Sequence, residues 1–74
     1  MNSSTLRHQL QCVDDRILTT ERSLRRLEEL VAKLGEGDED RLEAERQLVH
    51  LRKIKSSFDT AREDLVEQLT SLVR

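Results

Sequence analysis

Apolar residues recur along the first half of the chain at spacings of four and three: Leu6, Leu10, Val13, Ile17, Leu24, Leu27, Val31 and Leu34, with Thr20 filling the single gap. This unbroken a/d heptad pattern predicts an amphipathic helix from about residue 4 to residue 34. Ser3, Ser4 and Thr5 precede it as candidate N-caps. A strict seven-residue repeat also predicts a left-handed supercoil against whatever the helix packs on. Thr20 reads as a small polar residue tolerated opposite a long one.

A second stripe, Ala44, Leu48, Leu51, Ile54, Phe58, Ala61, Leu65, Leu69 and Leu72, predicts a helix from about Glu39 to about Val73. Its spacing is less regular, and the two consecutive fours around Leu65 look like a local stutter. Leu48, Val66 and Val73 read as a shoulder that widens this stripe beyond what one partner helix covers. Gln47 and Gln68 border it as exposed flank positions.

Between the stripes lies Leu34-Gly35-Glu36-Gly37-Asp38, which holds both glycines of a chain without proline. Gly35 is expected in the left-handed conformation that ends a helix, with Lys33 suited to the negative end of the helix dipole. Asp38 is placed to cap the next helix, with Glu39 and Asp40 in its first turn. A helix stop and a helix start this close together predict an αα-hairpin. The expected fold is all-α: one antiparallel, coiled-coil-like two-helix hairpin over residues 1–74, with a turn at 35–38. It would complete a four-helix bundle by dimerising or by docking on a protein partner. The residues assigned to the core and oligomer interface are Leu10, Val13, Ile17, Leu24, Leu27 and Val31, then Leu48, Leu51, Ile54, Phe58, Leu65 and Leu69.

Composition sharpens that expectation. The chain has 74 residues, of which 38% are charged and 35% apolar, with Phe58 the single aromatic. A single core below ~70–80 residues rarely supplies more than ~3–5 kcal/mol, and each helix of a hairpin covers only one side of the other, so self-association or a partner is expected. Cys12 is a lone thiol, which fits a reducing compartment. No apolar run approaches the ~20 residues of a membrane span, and residues 1–5 lack the features of a signal peptide. The expected location is the cytoplasm.

Charge falls in bands once the hairpin is closed so that residue i lies near residue 73 minus i. Residues 16–26 and 46–55 together carry a net +7, while the turn end, residues 28–45, carries −6. The central band offers Arg22, Arg25, Arg26, Arg46, Arg52, Lys53 and Lys55 as candidate nucleic-acid contacts. Against that, the whole chain is net −2 and no aromatic is available for base stacking. Pairs such as Glu21–Arg25 at i, i+4 would thread the band as a solvated surface. Leu42 and Val49 share a helix turn face away from the main stripe and are assigned as a separate partner surface.

Little in the chain suggests catalysis. His8 and Cys12 have the i, i+4 spacing of a two-ligand metal clip, but a structural site needs four ligands and His50 lies far along the rod. The acidic turn lacks the twelve-residue frame of a calcium loop. No phosphate loop or catalytic triad can be assembled, and a bare hairpin lacks the concave pocket catalysis needs. No enzyme activity, cofactor, metal or small-molecule substrate is therefore expected.

The stretch Leu27-Glu28-Glu29-Leu30-Val31-Ala32-Lys33-Leu34, followed by Gly37 and Leu42-Glu43-Ala44, resembles the hairpin of the exonuclease VII small-subunit family. The resemblance spans residues 27–44, needs an extra residue in the turn and comes with a longer first helix, so it implies a hairpin and no activity. In architecture the chain is also similar to the Rop family of helical-hairpin dimers that bind RNA. The expected role is a non-catalytic interaction or oligomerisation module: an adaptor, an assembly subunit or a small chaperone-like protein. The alternative is a Rop-like RNA- or DNA-binding hairpin dimer that uses the central basic band.

Overall fold

A computed structural model describes residues 2–73 and contains two helices, α1 (Ser3–Lys33) and α2 (Glu39–Val73). They pack against each other as a hairpin with extents of 55 × 14 × 14 Å. Among the described residues, no helix is long and apolar enough to cross a membrane.

The ends of α1 differ from the sequence expectation in two ways. Its N-cap is Asn2, whose extended backbone lets Oδ1 accept the Thr5 N–H at 2.9 Å, so Ser3–Thr5 are already helical. Asparagine ranks among the best caps, and standing one residue earlier it lengthens the helix. At the other end the expected left-handed Gly35 is not found. Leu34 leaves the helix in extended conformation (φ −85, ψ 141), its N–H still donating to Leu30 O at 3.1 Å. The chain reverses three residues later, where Gly37 takes a φ of 85. The Asp38 N–H donates to Gly35 O at 3.2 Å and closes this turn. A Cβ at either glycine would meet nothing within 4 Å, so it is the backbone conformation at Gly37 that calls for glycine.

The start of α2 follows the expected chemistry: Asp38 Oδ1 accepts the Asp40 N–H at 2.8 Å. Arg41 adds a clasp that the sequence did not suggest. Its guanidinium donates to the Leu34 carbonyl at 3.2 Å and to Glu45 Oε1 at 3.0 Å, joining the exit of α1 to the entry of α2.

Packing between the helices is shallow. Leu6 and Ala44 (each 2% exposed), Leu24, Leu48 and Thr20 are buried, while the other stripe positions from Leu10 to Leu69 are half-buried. Buried Thr20 is satisfied locally, because Oγ1 donates to Arg16 O at 2.8 Å. The expected shoulder on α2 is not continuous. Leu48 lies in the buried seam, whereas Val66 and Val73 are exposed, as is Leu72 from the stripe. The 3.5-residue pattern turns Leu48 inward and leaves the last turn of α2 with few residues of α1 to cover it.

Candidate interaction surface

The seam between the helices has two long sides. On one side Asp14, Glu21 and Glu28 of α1, each a heptad apart, reach across to α2. Asp14 meets Arg62 at 2.7 Å, Glu21 meets Lys55 at 3.9 Å and Glu28 meets Arg52 at 3.8 Å. For the first two pairs the α2 partner lies three residues further along than a fold-back about the glycines predicts. Lys55 also donates to Asp59 Oδ2 at 2.9 Å. That hydrogen bond is the main reason its pKa is raised above 10.5; desolvation opposes it, and the Asp59 and Glu21 charges add smaller upward pushes. These pairs are solvent-accessible, so their contribution to stability is small.

The other side is different in composition. Gln9, Arg16, Ser23 and Leu30 of α1 recur at heptad intervals there, and Gln47, Ile54, Ala61 and Gln68 recur along α2. Arg16 is the single charge among these eight, and its guanidinium carbon sits 5.9 Å from the centroid of the Phe58 ring, within range of a cation–π contact. Among the described residues, no ion pair crosses the seam on this side. Two open clefts lie along it. One, of about 510 Å³, has a floor of Val13, Phe58, Ala61 and Leu65, with Gln9, Cys12, Asp64 and Gln68 at its edge. The second, of about 260 Å³ near the turn, is lined by Leu27, Leu30, Leu34 and Ala44, with Asp40, Glu43 and Gln47 outside them.

Of the twelve residues assigned to core and interface, Leu24 and Leu48 are buried and the other ten are half-buried. Leu6 and Ala44, the two most buried residues, were in the stripes but outside that set. Leu42 (53% exposed) and Val49 (50% exposed) lie on the outer surface of α2. Gln47 is exposed and donates to Glu43 Oε1 at 3.4 Å. His8 and Cys12 do come together, with Sγ 4.0 Å from Nε2. Among the described residues no three His, Cys, Asp or Glu side chains are grouped to hold a metal ion.

The basic band is partly neutralised. Arg46 pairs with Glu43 at 3.9 Å, Arg52 with Glu28, and Lys55 with Glu21 and Asp59. Arg22, Arg25, Arg26 and Lys53 form no ion pair among the described residues. The expected Glu21–Arg25 pair is absent, because Glu21 turns across the seam to Lys55 instead. The contrast between the two sides escaped the sequence reading, although its signal was present. Reading the positions flanking each stripe separately gives charged Arg7, Asp14, Glu21 and Glu28 on one side, against Gln9, Arg16, Ser23 and Leu30 on the other.

No family model, curated protein or solved structure matches this chain. Its functional reading therefore rests on the chemistry of its surface.

Proposed function

We propose that the chain is a non-catalytic protein–protein interaction module, an adaptor, assembly subunit or small chaperone-like protein, that completes a four-helix bundle by dimerising. One observation carries this reading: ten of the twelve leading stripe residues stay half-buried in the isolated hairpin. Removing that apolar surface from water gains ~25 cal/mol per Å², and two further helices are the geometry that covers it. The lone exposed Cys12 suits a reducing, cytoplasmic setting. Sedimentation equilibrium at micromolar concentration should return twice the 8.6 kDa chain mass. A stable monomer would overturn the self-paired bundle.

Leu42 and Val49 are a candidate second contact, away from the seam. Leu42→Ser with Val49→Gln should leave helicity and self-association unchanged while abolishing capture of a partner that docks there. Loss of the dimer would instead assign both residues to the core.

Nucleic-acid binding remains a second reading because Arg22, Arg25, Arg26 and Lys53 form no ion pair among the described residues. Retention on heparin or RNA at near-physiological salt, falling steeply as salt rises, would favour it. Elution at low salt would leave the interaction module standing alone.

A further inference from the structure

We infer that the uncharged side of the seam is covered by a second copy of the chain, with α1 of each copy over α2 of the other and both turns at the same end. This rests on the four-helix bundle proposed above and specifies which side pairs and in which direction. The first argument is the cost of burial. Closing the ion-paired side would desolvate Asp14, Glu21, Glu28, Arg52, Lys55 and Arg62, whereas the opposite side offers Gln, Ser, Ile, Ala and Leu with Arg16 alone. The second argument is size. A footprint of 55 by 14 Å is roughly 770 Å² per copy, close to the ~800 Å² each partner gives to a standard interface.

Charge along the two edges of that side then fixes the direction. On the α2 edge the structure places Asp40, Glu43 and Asp64, with no cation among the residues lining the two clefts from that helix. Glu43 is held only loosely, by an exposed pair with Arg46 at 3.9 Å and a long hydrogen bond from Gln47 at 3.4 Å. On the α1 edge stands Arg16, and two and three heptads on from Cys12 come Arg26 and Lys33, both exposed. One edge is cationic and the other acidic. Setting α1 over the partner's α2 brings each cationic edge against an acidic one, twice over by symmetry. Turning one copy end over end would run cationic edge along cationic edge and acidic along acidic. The opposing contribution is the pair of acidic turns gathered at one end, which salt screens over ~8 Å at physiological ionic strength.

A nitroxide at the turn reads the direction. In Cys12→Ser with Glu36→Cys, sample mass is measured first and the spin–spin distance second. The expected result is dimer mass with a distance below about 30 Å, because both labels sit at one end. Dimer mass with a distance approaching the 55 Å rod length overturns this arrangement while leaving the bundle intact. Monomer mass without dipolar coupling overturns both. A charge exchange checks the edges: Lys33→Glu should weaken the dimer several-fold, and adding Glu43→Lys should restore it. A short distance without that rescue would mean that some other contact pairs the turns.

Discussion

Along one side of the seam, acids of α1 reach three cations of α2, and the helices are strapped together by groups that remain in water. Along the other, Gln9, Ser23 and Leu30 run beside Gln68, Ile54 and Gln47, and apolar floors lie open in two clefts. Both sides flank the same heptad stripe, so the stripe alone does not decide where a partner docks. The flanks do, because bringing an exposed ion pair into an interface costs desolvation that its weak attraction does not return. A neutral flank carries no such cost. The strapped side therefore adds weak contacts across the apolar seam, and under the proposed pairing the neutral side is the cheaper one to cover.

The largest expected effect tests what the two sides share. Leu48→Ala removes a side chain buried in the seam and should lower stability by ~2–5 kcal/mol, read by urea unfolding followed by circular dichroism. A change under ~1 kcal/mol would mean the seam contributes less than its burial implies.

Next comes a matched pair on α1. Leu30 is 44% exposed on the neutral side and Leu18 is 52% exposed beside Asp14 and Glu21 on the strapped side. Leu30→Glu should raise the dimer dissociation constant at least ~10-fold, equivalent to ~1.4 kcal/mol, and Leu18→Glu should leave it unchanged. Sedimentation velocity over a concentration series decides this, and the reverse outcome would exchange the roles of the two sides.

Smaller still is the contribution of a strap. A double-mutant cycle with Asp14→Asn and Arg62→Met should give a coupling of ~0.2–1 kcal/mol that shrinks as salt is added. A salt-independent coupling would show that this pair is more shielded than its exposure suggests.

The smallest effect concerns Lys55. Its proton is held more tightly in the folded chain than in the unfolded one, since Asp59 and Glu21 favour the charged form. Sign follows from that: the stabilisation is complete below 10.5 and fades as pH rises through the raised folded-state value. Denaturation midpoints at neutral pH and above 10.5 should fall further for the native chain than for Lys55→Gln. Equal falls would assign the alkaline loss to other groups.

Much of the hairpin was legible in the sequence because its signals are local. Period-3.5 apolar spacing makes each helix amphipathic, and Asp38 meets an N–H only two residues away, so both features can be read without knowing the rest of the fold. The shallow burial of the stripes also follows from having only two helices. By contrast, the choice of Gly37 over Gly35 for the positive φ depended on Leu34 exiting in extended form, with its carbonyl held by Arg41 seven residues later. Either glycine satisfied the local rule. Likewise, Glu21 pairs with Lys55 of the other helix rather than with Arg25 on its own. Such choices are made between groups far apart in the chain and close in space. Their energies depend on distances that only the packed helices define, and for weak exposed pairs an ångström is enough to change the partner.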